Sequence, residues 1–173
     1  MEFKFETVYN KESVTAMAKA LRKTVRGKKS RKSHIYGIVV VICAILLTLP
    51  LGDKEFVLNF KTIITWLASA ILLFALVFED KLNGYIAIKR MLPGLDKSVV
   101  IFKEEGYLSE TPVGKSEFKY DNILTLAETE KYFVFVFSIS HAQIYDKASI
   151  SGGTMDEFRE FIKGVTGKEI QSV

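Results

Sequence analysis

The chain is poor in the residues on which small stapled or metal-centred proteins depend: one cysteine, three prolines and two histidines in 173 residues. A lone cysteine excludes an intrachain disulfide framework, and 11 glycines beside so few prolines exclude collagen-like or low-complexity sequence. Metal binding needs several His, Cys or carboxylate ligands brought together, whereas His34, Cys43 and His141 fall in three unlike settings. No cofactor-binding pattern is present either. Charge is missing only in places. Residues 33–52 carry none and residues 56–78 only Lys61, although 25% of the chain is charged. The average composition, 49% hydrophobic with net charge +4, therefore joins two populations suited to two solvents.

A helix over 33–52 would be about 30 Å long at a rise of about 1.5 Å per residue, the thickness of a hydrocarbon core. Residues 56–78 reach that length with Lys61 near one end, where its stem can snorkel and serve as the hairpin anchor. Pro50 and Gly52, followed by Asp53, Lys54 and Glu55, supply a turn. The expectation is a two-helix transmembrane hairpin over 33–78. A cleaved signal peptide is disfavoured by the long basic segment before the first span, the lack of a small-residue cleavage site and the immediate second span. Eight cations, Lys19, Arg22, Lys23, Arg26, Lys28, Lys29, Arg31 and Lys32, precede the first span with no acidic residue among them. Lys81, Lys89, Arg90 and Lys97 follow the second, while the turn offers Lys54, or Lys54 and Lys61. The positive-inside rule then places both termini in the cytoplasm.

Within residues 1–32, Val14, Met17, Leu21 and Val25 share one face of a helix that Asn10 can cap. The pattern predicts a basic amphipathic helix on the inner leaflet, with Arg22, Lys23, Arg26, Lys28, Lys29, Arg31 and Lys32 as membrane-surface contacts to anionic lipid. The same charge could suggest nucleic acid, but no reading motif accompanies it. Thr65 and Ser69, four residues apart, form a small-residue face for packing the second span on the first. Cys43 reads as a small packing residue.

Helical composition continues through 79–92 until Pro93-Gly94 stops it, making 79–94 an extension and linker. Beyond it the pattern predicts strands at 98–102, 107–110, 115–120, 123–128, 131–138 and 142–146, with turns between them. Phe3 and Phe5 alternate with polar residues and predict a seventh strand; if it joins the others, the hairpin is an insertion into their sheet. Residues 132–137 are apolar on both faces and need cover on both. A helix begun by a Thr154/Glu157 capping box, with Met155, Phe158, Phe161, Ile162 and Val165 as its stripe, is the expected cover, and Gly164 and Gly167 mark its end. A membrane α+β protein follows, with a soluble domain over 95–167 and a tail over 168–173. A curved antiparallel sheet of six or seven strands under one C-terminal helix is the pleckstrin-homology-like plan, although spacing alone allows other α+β arrangements.

The residues Tyr120-Asp121-Asn122-Ile123, Glu128-Thr129, Tyr132-Phe133, Lys147, Phe158 and Phe161, preceded by an apolar helix pair, resemble the YcxB-like family of bacterial membrane proteins. The resemblance extends over most of the chain. Trp is frequent in that family where Tyr120 stands, and Pro where Asp146 stands. The resemblance implies a membrane-anchored domain of pleckstrin-homology-like shape in the bacterial cytoplasmic membrane, with no assigned activity.

Motifs for chemistry fail on their surroundings. Gly114-Lys115-Ser116 resembles the end of a phosphate-binding loop, but Ser109 stands where that loop needs glycine, and a strand follows. His141 lacks a nucleophile elbow. The loop 103–106 has net negative charge, which disfavours a phosphoinositide headgroup. The leading expectation is a non-enzymatic interaction or regulatory module, multi-pass in the membrane, whose cytoplasmic domain binds a protein partner or forms a homo-oligomer. The alternative is an immunity protein against a membrane-active toxin or bacteriocin; a hydrolase using His141 is the third class.

Overall fold

The computed structural model describes residues 2–50 and 56–173; the turn expected at Gly52, Asp53, Lys54 and Glu55 lies outside the described residues. Strand β1 (Phe3–Val8) pairs antiparallel with β2 (Lys97–Lys103), Phe3 opposite Phe102 and Val8 opposite Lys97. The N-terminal strand thus joins the sheet, and residues 9–96 are an insertion between two paired strands. Strands β3 (Gly106–Thr111) and β4 (Gly114–Phe118) complete a first sheet in the order β1-β2-β3-β4. The second sheet contains β5 (Thr125–Glu128), β6 (Tyr132–Val136), β7 (Ala142–Asp146) and β8 (Ile170–Ser172), in the order β7-β6-β5-β8.

Six expected strands appear within a few residues of their predicted bounds. The third ends at Phe118, because Tyr120–Asn122 form a 3₁₀ turn instead. Strand β8 corrects the reading of 168–173 as a tail: it lies parallel to β5, and the Val173 N–H donates to the Glu128 carbonyl at 2.9 Å. Three residues carry no usable periodicity. Their pairing depends on helix α5 (Met155–Thr166), which returns the chain to the edge of β5.

Inward-facing side chains of the first sheet change character from one end to the other. One cross-strand row is Phe3, Phe102, Tyr107 and Phe118; the next is Phe5, Val100, Ser109 and Ser116; the third begins with Thr7 and Ser98. The aromatic end meets Phe133, Phe135 and Tyr145 of the second sheet, with α5 closing over it. Phe158 sits at the centre, its ring 4.8 Å from Phe5, 5.1 Å from Phe102, 5.3 Å from Phe133 and 5.4 Å from Phe3. The capping box expected for α5 is present, and Gly167 ends the helix in the left-handed conformation (φ 64°) that glycine adopts without strain. Gly164 lies inside the helix rather than at its end.

The opposite face of β6, with Tyr132, Val134 and Val136, is covered by helix α1 (Lys11–Lys23). This corrects the placement of the amphipathic helix on the leaflet: Val14 and Leu21 are buried, and Met17 and Val25 pack on the second sheet. An apolar stripe predicts that a helix has something to cover, and here a sheet with two apolar faces lies within reach. Asn10 caps α1 as expected, its side chain accepting from the Glu12 and Ser13 N–H groups while Ser13 Oγ accepts from the Asn10 N–H. The other side of α1 meets helix α4 (Glu79–Lys89). Buried Gly84 allows this approach; a Cβ there would stand 2.6 Å from Thr15 Oγ1 and 3.0 Å from the Thr15 backbone N and Cα.

Helices α2 (Gly27–Leu46) and α3 (Phe60–Val77) pack antiparallel. Gly37 lies against Leu76, and Trp66 Nε1 donates to Thr48 Oγ1 at 3.0 Å. Among the described residues α3 is the one helix long and apolar enough to cross a membrane, with mean hydropathy 2.0. Helix α2 starts earlier than expected, taking in Lys28, Lys29, Arg31 and Lys32, and ends at Leu46 rather than near residue 52. Its uncharged helical part, 33–46, is about 21 Å long. The second stretch becomes helical at Phe60 rather than residue 56.

Candidate functional site

The inserted helices meet the sheets at a polar collar. Arg22, near the C-terminal end of α1, grips Asp80 with two hydrogen bonds, Nε to Oδ1 and Nη2 to Oδ2, each 2.7 Å. Beside them Glu79 Oε2 accepts from Ser30 Oγ at 3.0 Å and contacts His34 Nε2 at 2.8 Å. Glu79 and Asp80 occupy the first turn of α4, where the helix dipole favours carboxylates. The Asp80 hydrogen bonds raise the proton affinity of the Arg22 guanidinium further. Three helices are thereby tied at one level. Sequence reasoning missed Glu79 and Asp80; the available signal was a pair of acids directly after an apolar run, in a chain whose earlier basic segment lacked acidic partners.

The seven cations expected on a membrane surface divide in two. Arg22 is committed to Asp80, and Arg26 donates to the Ile139 carbonyl in the β6–β7 turn. Lys23, Lys28, Lys29, Arg31 and Lys32 are exposed around the start of α2, whose first turn contains no acidic residue. They lie beside the outward apolar residues Ile35, Ile38 and Val39. Lys61 is exposed in the first turn of α3, at the far end of the helix pair. Ser69 is buried on α3 while Thr65 is half-buried, and Thr62, also buried, is held at the start of α3 by the Asn59 cap. Cys43 is exposed on α2 and packs nothing inside the pair.

Residues that carried the family resemblance hold the fold. Tyr120 donates to the Lys103 carbonyl at 2.6 Å. Asp146, which stands where that family often has Pro, accepts from the Ala148 N–H and shapes the turn after β7. Glu128 on β5 is gripped by Arg159 of α5 and by Lys147, whose ammonium also donates to the Thr129 carbonyl at 2.6 Å. Burial pushes the Glu128 carboxyl up, but the hydrogen bonds from Arg159 and Lys147 outweigh it and hold it below the usual carboxylate range.

Other candidate positions stay apart. Gly114-Lys115-Ser116 open strand β4, so no helix N-terminus follows them. His141 Nδ1 lies 3.2 Å from Ser138 Oγ and 3.0 Å from Ser140 Oγ in an exposed turn. The open groove at loop 103–106 is lined by Glu2, Glu104, Glu105 and Glu117 against Lys103 and Lys119, which is poorly suited to an anion. Among the described residues no three His, Cys, Asp or Glu side chains gather as metal ligands.

No curated protein matches the chain. The resemblance read over most of the sequence is shown for a narrower segment, which leaves out β1 and all the inserted helices. From the end of β2 to the last turns of α5, residues 102–162 match the family model of the YcxB-like proteins.

Proposed function

We propose that this chain is a non-enzymatic interaction module of the bacterial cytoplasmic membrane. A two-span hairpin, α2 and α3, anchors it with both termini cytoplasmic, and its two sheets and α5 form a pleckstrin-homology-like domain that binds a protein partner or a second copy. The observation that carries the reading is inversion of polarity in the helix pair. Val41 of α2 and Ser69 of α3 are buried and Gly37 lies against Leu76, whereas Phe60, Leu67, Ile71 and Val77 are at least 60% exposed. Such a pair is matched to lipid, where small and weakly polar residues make the contact between helices. At one end stand the five exposed cations and at the other Lys61, the asymmetry expected of an inside-positive hairpin. Uncharged residues 47–50 extend the reach of α2 beyond its last helical turn.

Anchoring confines the sheet domain to a thin layer and raises its effective concentration for other membrane proteins, so a weak surface suffices for association. The test is made on the full chain in bacterial cells. After alkaline carbonate extraction the protein is expected in the membrane pellet. With Cys43→Ser as background, a cysteine at position 54 should react with an impermeant thiol reagent from outside, and one at position 173 only after lysis. Release by carbonate overturns the anchoring, and external reaction at 173 overturns the orientation. Crosslinking in intact membranes that recovers only monomer overturns the interaction role.

A further inference from the structure

The gradient across the first sheet leaves serines at one end of the sandwich where the other end packs aromatic rings, with Tyr9 and Phe118 at the border between them. There the two sheets border an open cavity of about 580 Å³, within the range of about 300–1,000 Å³ typical of small-molecule sites. Its sheet wall carries Ser98, Ser109 and Ser116, the residues that replace the Phe102, Tyr107 and Phe118 row further along each strand. Ser109 is only 9% exposed, and among the described residues its hydroxyl has no hydrogen-bond partner. No side-chain oxygen or nitrogen among the described residues is sealed from solvent without a partner, so this hydroxyl opens onto the cavity. Across from it stands Gln143. Its Oε1 accepts from Tyr107 and Tyr145 at 2.8 and 2.7 Å, and its amide nitrogen has no partner among the described residues. Two polar groups are therefore oriented without partners in one cavity.

Tyr9, whose hydroxyl accepts from Ser98 Oγ at 3.4 Å, and Thr111 add polar groups to the lining, and the rest of it is apolar and adaptable. Met17 comes from α1, and Met91 and Leu95 come from the linker after α4. Gly94, with φ 85°, lets this linker turn against Val113, whose Cγ1 would be 2.9 Å from a Cβ at that position. Methionines fill irregular space without imposing a shape. Lys115 is the one charged residue lining the cavity; it is at the rim, 68% exposed and paired with Glu110. An anion would find only this exposed, already paired ammonium as counter-ion, and a cation none, so desolvating a charge there is poorly compensated.

We propose that this cavity binds an uncharged amphiphile, its hydroxyl, carbonyl or amide groups on Ser109 and Gln143 and its apolar part against Met17, Met91 and Leu95. The site is formed by the two sheets, α1 and the linker after α4, and does not require the membrane reading. Its test uses the full chain in phosphatidylcholine nanodiscs with a short-chain monoacylglycerol bearing a diazirine, soluble enough to arrive from water. Photolabelling mapped by peptide mass spectrometry is expected at Met17, Met91 or Val113. The matching carboxylic acid should label those residues at least tenfold less. Ser109→Ala should reduce the label several-fold, and Ser109→Phe should abolish it while labelling of α2 and α3 persists. Label confined to α2 and α3, equal label from the acid, or cavity label unchanged in Ser109→Phe overturns the proposal. If Ser109→Phe loses cooperative melting, Val113→Trp at the mouth takes its place; the same loss of label is expected, and cavity label that persists in it overturns the proposal equally. Labelling of the helix pair reports membrane placement separately, so the two readings fail independently.

Discussion

The sheet domain and the inserted helix pair solve opposite packing problems with similar residues. In the sheet domain, Phe3, Phe5, Phe102, Phe133 and Phe135 of the strands and Phe158 of α5 are fully buried. In the helix pair the large apolar side chains face out, and Gly37, Val41 and Ser69 are the residues turned inward. Burial in water is driven by removing apolar area, so the largest side chains go inside. On the proposed reading the helix pair lies in lipid, where that force is absent and close backbone approach is what remains to be gained. The junction reconciles both through polar bonds, Arg22 with Asp80 and His34 with Glu79.

The largest effect is expected where aromatic packing is densest. Phe158→Ala removes a ring in edge contact with four others and should cost about 3–5 kcal/mol, read by chemical denaturation of the full chain in detergent. A loss below about 1 kcal/mol would mean that α5 is not part of the core.

That core was readable in advance because its signals are local. Alternation, turn residues and the Thr154/Glu157 box each sit within a few positions, and they located six strands and α5. The destination of α1 was not readable, since a stripe of Val14, Met17, Leu21 and Val25 fits a leaflet or a sheet equally well. Burial on β6 decided it. Pairing of β1 with β2 spans the whole insertion, and β8 depends on where α5 delivers the chain. At the collar the cations were visible, but their partners Glu79 and Asp80 lie more than 40 residues away. The cavity was hidden because serines in strands read as exposed until register places them inward.

Gly84 tests whether the two regions are mechanically joined. Gly84→Val drives a side chain into the Thr15 backbone and should cost about 2–3 kcal/mol, while hydrogen exchange in α1 rises and that in β1 to β4 does not. Uniform loosening of every element would show that the junction is part of one cooperative core.

A smaller effect is expected at Glu128. Glu128→Gln leaves Lys147 without its counter-ion and Arg159 with only the exposed Asp156, and should cost about 2 kcal/mol near neutral pH. Because folding lowers the carboxyl's pKa, its contribution is complete above the ordinary carboxylate range and is lost as pH falls through the lowered value. The variant should therefore show a shallower loss of stability than the native chain between about pH 5 and 3. An identical slope would show that the three charges are screened by solvent.

The sharpest probe of the inversion is a pair of substitutions two residues apart on α3. Ser69 is buried against α2, and Leu there overfills the contact, at a cost of about 1–2 kcal/mol. Ile71 is 62% exposed, so Ile71→Ala removes little protein contact and should change stability in detergent by less than about 0.5 kcal/mol. In a water-packed helix the order is reversed, since truncating the isoleucine opens a cavity and enlarging a surface serine is tolerated. If Ile71→Ala proved the costlier change, the outward apolar face would have to be covered by protein, and the helix pair would pack by the same rule as the sheets.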